Sequence, residues 1–132
     1  MVKFNKTKEE ALFQEIETII ENNNLPAFEK KIIQCKLDLN IRDEFENSLL
    51  HIAALKGSVS IIEFLLHKNL DINSKNHVGK TPLHLAIKND NIEVSLFLIK
   101  NGADYKTRDR NGRTAIESAT RDKRVIIQKY LR

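Results

Sequence analysis

The chain matches itself when it is shifted by 33 residues. Identical or similar residues then align in sets: Asp43, Asn76 and Asp109; Ser48, Thr81 and Thr114; His51 and His84; Ala53, Ala86 and Ala119; Leu65, Leu98 and Leu131. A fixed period of this length indicates an array of short units, each of which buries its apolar face against its neighbours. The 132 residues hold about four such units within the usual size of one domain.

The clearest unit is the segment 76–108, NHVGKTPLHLAIKNDNIEVSLFLIKNGADYKTR. Its Gly79–Ala86 run, GKTPLHLA, and its Asn101–Asp104 run, NGAD, resemble the two signatures of an ankyrin repeat. The segment 43–75 resembles the same pattern, with SLLHIAALKG and KNLDIN in those places. The resemblance extends over nearly the whole chain.

The two end segments diverge from this pattern. The segment 109–132 has Ala115 and Glu117 where proline and histidine are usual, and the segment 10–42 keeps only its apolar spacing and a terminal DLN. Terminal repeats have solvent on one side, so such divergence is expected of caps. The resemblance implies an all-α fold, an ankyrin-repeat solenoid of about four helix-turn-helix units with hairpin-like connecting loops. We expect one domain over 1–132, with units at 10–42, 43–75, 76–108 and 109–132.

Local signals predict where the helices begin and turn. Thr81 is suited to cap a helix, and Pro82 is suited to its first position because that residue needs no N–H donor there. A second helix is predicted over roughly 91–100. Between the two helices of each unit, a turn is predicted at residues that tolerate turn geometry: Asn24, Gly57 and Asp90.

The end of each second helix is predicted to be a left-handed cap. Gly102 suits this conformation best, and Asn69 occupies the same place one unit earlier. Lys36 is the equivalent residue in the first unit. We therefore expect a less regular cap there.

Composition places the chain among ordinary folded proteins of a reducing compartment. Cys35 is the only cysteine, which excludes an intramolecular disulfide, and we interpret it as a small core residue. No apolar run approaches the roughly 18–20 residues that span a bilayer. We expect an intracellular protein, cytoplasmic or in a host cytosol if it is a secreted effector, that is monomeric.

The sequence offers no residues for catalysis, a cofactor or a metal. His51 and His84 lie at equivalent positions, where the resemblance implies hydrogen bonds to the backbone of adjacent repeats. The aspartates Asp38, Asp71 and Asp104 also recur at one repeat position, which favours a turn-stabilising role over a carboxylate site. Motifs such as GxxxxGK[ST], HExxH and GxSxG are missing from the sequence. An enzyme is therefore not expected.

The charge of the chain is uneven, with a net of −3 over 1–66 and +7 over 67–132. In ankyrin proteins, partners usually meet the hairpin tips and the inner face of the first helices. Of the eighteen positions that this register assigns to that surface, nine are Lys or Arg and two are acidic. The predicted partner-binding residues are Arg42, Phe45, Lys56, Lys75, Val78, Lys80, Lys88, Arg108, Arg110, Arg113 and Arg121. The alternative is that solubility and chance placed these charges.

Three apolar residues lie among these variable positions: Phe45, Leu55 and Val78. They are candidates for apolar anchors inside a charged rim, as at an interface hot spot. Alternatively, they pack against the poorly matched first unit.

The leading hypothesis is a non-enzymatic protein-interaction module, an adaptor, inhibitor or effector, that binds an acidic protein surface through this basic face. Binding to nucleic acid or to an anionic membrane surface is the second hypothesis, permitted by a sequence pI near 9.2. A structural spacer in a larger assembly is the third.

Overall fold

The computed structural model describes residues 3–131, with side chains from residue 8 onward. Along this range lie α1 (Lys3–Glu21), α2 (Leu25–Cys35), α3 (Leu49–Lys56), α4 (Val59–His67), α5 (Pro82–Lys88), α6 (Ile92–Lys100), the 3₁₀ helix Ile116–Ser118 and α7 (Arg121–Tyr130). Strand pairing within residues 3–131 is limited to an isolated bridge between Arg108 and Thr114. The predicted all-α solenoid is confirmed.

The helices form two layers. The inner layer is the series α1, α3, α5 and the 3₁₀ helix, each in contact with the next, and every inner helix also packs on its outer partner, α2, α4, α6 or α7. Apolar side chains at helical spacing fill the space between the layers, among them Ile16, Ile20, Leu50 and Leu83, all fully buried. No single helix pair has enough apolar neighbours to be stable alone, so burial comes from stacking.

Capping residues begin the helices where the sequence predicts. The Thr81 hydroxyl accepts from the His84 N–H at 3.4 Å, and Pro82 is the first residue of α5. Ser48 caps α3 in the same way at 3.3 Å. In the outer layer, Asn24 and Asn91 accept from backbone N–H groups at the starts of α2 and α6.

The turn between the helices has the left-handed conformation at Gly57 (φ 80°) and Asp90 (φ 56°). In the first unit it falls on Asn23 (φ 50°), one residue before the predicted Asn24, which instead caps α2. The shift arises because α2 has 11 residues, whereas α4 and α6 have 9 each.

The prediction of a less regular cap at Lys36 is wrong. Lys36 is left-handed (φ 47°), as are Asn69 (φ 65°) and Gly102 (φ 95°). The following N–H, that of Leu37, donates to the Ile32 carbonyl at 3.0 Å, which is the hydrogen bond that closes such a cap. This bond and the half-buried Leu37 side chain hold the lysine in a conformation that it would not favour alone.

Two first-unit residues are more exposed than expected. Cys35, interpreted as a core residue, is exposed at the last position of α2. Ile33, which continues the apolar spacing of that helix, is 77% exposed. The core of the unit is formed instead by residues on the opposite side of α2, such as Phe28, whose ring packs edge-on against Phe64.

The last unit departs from the inner units in its first helix. A 3₁₀ helix of 3 residues replaces the α-helix, and α7 begins at Arg121, whereas α4 and α6 begin at positions equivalent to Val125. The expected role of Arg121 as an inner-helix residue is therefore corrected. Without the proline at the first position, and with Glu117 in place of the bridging histidine, the inner helix is less firmly fixed.

Candidate partner-binding surface

Three hairpin loops, 43–47, 76–80 and 109–113, connect the units and line up along one edge of the solenoid. Each is closed by a backbone hydrogen bond from its first N–H to its last carbonyl, at 3.1, 2.9 and 2.9 Å. The first side chain of each loop (Asp43, Asn76 or Asp109) accepts from the N–H groups two and four residues later. The recurrence of Asp or Asn at this position is thus explained by its acceptor oxygen.

The tips of adjacent hairpins are joined through their backbones. The His77 N–H donates to the Phe45 carbonyl at 3.1 Å, and the Arg110 N–H donates to the Val78 carbonyl at 3.0 Å. These bonds make the row of tips one continuous frame, so side chains on neighbouring loops keep fixed relative positions.

Left-handed backbone recurs in each hairpin at Glu46 (φ 61°), Gly79 (φ 76°) and Gly112 (φ 76°). Glycine adopts this conformation readily, whereas glutamate does so at a cost. A Cβ atom on Gly79 would also lie 3.0 Å from the Arg110 backbone nitrogen. That glycine therefore allows the next hairpin to stack closely.

Two buried histidines connect the inner helices to the following hairpins, as the resemblance implied. His51 Nε2 donates to the Lys80 carbonyl at 2.7 Å, and its Nδ1 accepts from the Ser48 N–H at 3.1 Å. His84 Nε2 donates to the Arg113 carbonyl at 3.1 Å, and its Nδ1 accepts from the Thr81 N–H at 3.2 Å. Both rings are thereby held as neutral tautomers.

Burial disfavours the charged form of both rings. It lowers the pKa of His51 from 6.5 to about 4, although the hydrogen bond to the Lys80 carbonyl acts in the opposite direction. Burial also lowers the pKa of His84. These histidines are scaffold residues, and no group of three or more His, Cys, Asp or Glu side chains within the described range is placed to hold a metal ion.

The recurring aspartates Asp38, Asp71 and Asp104 each accept a hydrogen bond from the N–H two residues later, at 2.9, 2.9 and 2.8 Å. The predicted turn-stabilising role is confirmed. Hydrogen bonding, chiefly from the Lys106 N–H, also lowers the pKa of Asp104.

Three of the nine predicted basic residues support the scaffold. Arg42 donates to the Glu46 and Lys75 carbonyls at 2.6 and 3.1 Å. Arg108 donates to the Gly112 carbonyl at 2.7 Å and lies 3.5 Å from the Glu117 carboxylate. Lys80 is half-buried, with its Nζ 3.8 Å from the buried Asp109 carboxylate. Hydrogen bonds, chiefly from the Arg113 N–H, lower the pKa of Asp109, so this carboxylate stays ionised beside the lysine.

The other six basic side chains are exposed. Within residues 8–131 they form no hydrogen bond or ion pair with another side chain or with the backbone. Lys75, Arg110 and Arg113 are on or next to the hairpin loops, Lys56 and Lys88 end the inner helices α3 and α5, and Arg121 begins α7. The structure thus divides the predicted set into three fixed cations and six that are available to a partner.

The predicted apolar residues differ in exposure. Phe45 is 50% exposed, Leu55 is 39% exposed and Val78 is half-buried. The Phe45 ring lies against the His77 imidazole of the next hairpin, with 5.7 Å between ring centroids. His77 is not among the partner-binding residues predicted from the sequence. Its position one residue after Asn76, at the tip of the loop, is the signal that would have found it.

A comparison with family models matches two segments of the chain, residues 17–109 and 71–132, to a model described as ankyrin repeats (3 copies). A comparison with curated proteins finds no significant match. None of the helices in residues 3–131 is long and apolar enough to cross a membrane. Ankyrin repeats are typically non-enzymatic and generally act as protein–protein interaction modules. With both signatures in the sequence, the bridging histidines in place and the family model spanning most of its length, the chain belongs to the ankyrin-repeat family.

Proposed function

We propose that the chain is a non-enzymatic interaction module, an adaptor, inhibitor or effector, that binds an acidic surface of another protein. The contact surface comprises the hairpin tips and the adjacent ends of the inner helices. One observation carries the proposal: five exposed basic side chains there, those of Lys56, Lys75, Lys88, Arg110 and Arg113, have no partner within residues 8–131, whereas the surface of a protein without such a task mixes its signs.

Arg110 and Arg113 are the central residues of this proposal. Both are exposed on one hairpin, whose backbone is fixed by hydrogen bonds to Asp109 and to the neighbouring Val78 carbonyl. A guanidinium group can donate two parallel hydrogen bonds to one carboxylate, which favours arginine for this contact. Lys75 and Lys88 add positive potential that attracts an acidic partner during encounter.

We propose that this binding takes place inside a cell, in the cytoplasm or in the cytosol of a host, and that the module acts as a monomer. The exposed Cys35 thiol supports the first point, because a reducing compartment keeps such a thiol unpaired. The basic surface supports the second, because two copies would repel each other if they met through it.

Nucleic acid is the second candidate partner, favoured by the same unpaired cations and the sequence pI near 9.2. Proteins that bind single strands also stack bases on several aromatic side chains. Along the hairpin tips of the described structure, Phe45 and His77 are the aromatic side chains available for stacking. An acidic protein is therefore the better-supported partner.

The test is affinity capture from a cell lysate at low and moderate salt, with and without nuclease. We expect the wild-type chain to retain a discrete acidic protein that survives nuclease and elutes with salt. The double variant Arg110→Glu/Arg113→Glu should lose it. Recovery of nucleic acid alone, with nothing retained after nuclease, would overturn the proposal in favour of the second candidate. An identical set of retained proteins for wild type and variant would favour a structural spacer.

A further inference from the structure

The most exposed apolar contact on the hairpin tips is the pair Phe45 and His77. The Phe45 ring is 50% exposed and lies 5.7 Å from the His77 ring, with an angle of 39° between the ring planes. The His77 imidazole is held by the Phe45 carbonyl, 2.9 Å from its Nδ1. The two rings therefore form a fixed apolar surface of the kind that a single large side chain can cover.

The backbone that presents Phe45 is held by hydrogen bonds from two sides. The Asp43 carboxylate accepts from the Phe45 and Asn47 N–H groups at 2.9 and 2.8 Å. From the other side, Arg42 donates to the Glu46 carbonyl at 2.6 Å and to the Lys75 carbonyl at 3.1 Å. An anchor held in this way loses little conformational entropy when a partner binds.

The equivalent residues in the next two hairpins are Val78, which is half-buried, and the polar Asn111. The apolar character of the tips thus decreases from the second unit to the last. Exposed positive charge increases in the same direction and reaches Arg110 and Arg113. The row of hairpin tips therefore has an apolar site at one end and a cationic site at the other.

We propose that the Phe45–His77 pair binds one large apolar side chain of the acidic partner segment while the carboxylates of that segment contact Arg110 and Arg113. This inference rests on the proposed function, because it specifies the partner as an extended acidic segment with an apolar residue at a defined spacing. The partner is recognised by the spacing and order of its two features as well as by its charge.

The spacing follows from the architecture. Phe45 and the arginines lie two hairpins apart, and packed helices are about 8–10 Å apart, which makes a separation of roughly 16–20 Å. An extended chain advances about 3.3–3.6 Å per residue. The apolar residue and the carboxylates should therefore be separated by about five or six residues in the partner.

The experiment uses fluorescein-labelled synthetic peptides and measures fluorescence anisotropy with the full chain. The first peptide has a phenylalanine, a serine spacer of about five residues and a run of glutamates. The second replaces the phenylalanine with serine, and the third places the phenylalanine next to the glutamates. Each is made in both chain directions, because the structure fixes the order of the two sites but not the direction of the peptide.

We expect the spaced peptide to bind wild type about tenfold more tightly than the other two. Phe45→Ala should remove this advantage and leave binding of the serine peptide unchanged. Ile33→Ala, which truncates an exposed apolar residue outside the hairpins, should have no effect. Arg110→Glu/Arg113→Glu should weaken binding of all three peptides.

The outcomes separate the anchor from the proposed function. If wild type binds all three peptides equally and Phe45→Ala changes none of the affinities, the proposed apolar site at Phe45 and His77 is wrong, while the proposed binding of an acidic partner is supported. If no peptide binds wild type, both are wrong. Thermal unfolding of Phe45→Ala checks that the variant is folded; we expect an unchanged midpoint, because the exposed ring takes no part in the backbone hydrogen bonds of its loop.

Discussion

Two junctions between units have the same kinds of contact but differ in how tightly they are packed. The inner junction lies between the units 43–75 and 76–108, and the end junction lies between the units 76–108 and 109–132. At both, a histidine of an inner helix donates to a carbonyl of the next hairpin, at 2.7 Å for His51 and at 3.1 Å for His84. Both junctions also have one tip-to-tip backbone bond. The His84 bond is the longer of the two, although both rings are almost fully buried.

The last unit lacks the bridging histidine that is found at both junctions. Glu117 occupies the third histidine position, and its exposed carboxylate accepts from the Thr114 N–H at 3.3 Å, so it caps its own helix instead of connecting to another unit. Ile116 is partly open, whereas the equivalent Leu50 and Leu83 are fully buried. Within residues 3–131 the scaffold is thus most constrained at its centre, and the hairpin of Arg110 and Arg113 is bonded to one neighbouring hairpin, that of Val78.

Alanine substitutions at the three equivalent positions test this ranking. His51→Ala should lower the free energy of unfolding by about 3–4 kcal/mol, because it leaves a cavity and unpaired groups on Ser48 and Lys80. His84→Ala should cost about 2–3 kcal/mol, because its hydrogen bond to the next hairpin is longer, and Glu117→Ala should cost no more than about 0.5 kcal/mol. Urea unfolding measures all three. Equal losses at His51 and Glu117 would contradict the ranking.

The inner junction should also be the more acid-sensitive one. The folded-state pKa of His51, about 4, lies below the unfolded value of 6.5, so the unfolded chain binds the proton first. The stabilising contribution is complete above pH 6.5 and is lost as the pH falls to 4, by about 3 kcal/mol for this residue. His84 contributes in the same direction. Urea unfolding at a series of pH values measures this effect. Between pH 4 and 6.5, the free energy of unfolding should change less with pH for His51→Gln than for wild type. An equal change in both proteins would show that His51 is not the source of the pH dependence.

Substitutions at two glycines distinguish the cost of backbone strain from the cost of disturbed hairpin stacking. Gly79→Ala should cost about 2 kcal/mol, since it combines a left-handed alanine with crowding against the next hairpin at Arg110. Gly112→Ala introduces the same strain without a neighbour within 4 Å and should cost about 1 kcal/mol. Thermal unfolding of both variants gives the difference. If Gly112→Ala lowers stability as much as Gly79→Ala does, close stacking at the end junction is not the reason for the cost of Gly79→Ala.

Glu46 offers the reverse change. It holds at φ 61° the position that glycine occupies in the other two hairpins. Glu46→Gly should stabilise the chain by about 0.5 kcal/mol, because relief of strain exceeds the entropy gained by the unfolded chain. The measurement is again urea unfolding, and a loss of stability would mean that the Glu46 side chain has a role that its backbone conformation hides.

Much of this fold is predictable from one sequence because the repeat positions carry local physical signals. The period places the bridging histidines, the capping Ser48 and Thr81, and the turn-stabilising aspartates at equivalent sites. What it does not predict are conformations decided by neighbours. Lys36 becomes left-handed because the bond from Leu37 to Ile32 closes the cap around it.

The candidate surface was less predictable for a related reason. Charge alone does not distinguish Arg42 and Arg108 from Lys75, which occupies the same repeat position. Each arginine donates to the carbonyl of the left-handed residue of its own hairpin, whereas the Lys75 side chain has no such bond within residues 8–131. A guanidinium group reaches those carbonyls with a planar fork that an ammonium group lacks. Arg121 was misplaced because the inner helix of the last unit is too short to carry it.

The most direct test of the proposed binding surface is a matched pair of charge reversals. Arg110→Glu/Arg113→Glu and Lys30→Glu/Lys129→Glu change the net charge equally, but the second pair lies on the outer helices α2 and α7, away from the hairpins. Both should leave the thermal midpoint nearly unchanged, because all four side chains are exposed.

Capture from one lysate, with the two variants and wild type side by side, is the deciding measurement. If the hairpin tips bind an acidic protein, only Arg110→Glu/Arg113→Glu loses it, and Lys30→Glu/Lys129→Glu retains it as wild type does. Equal loss by both variants would show that binding follows overall charge, and the proposed surface would be wrong.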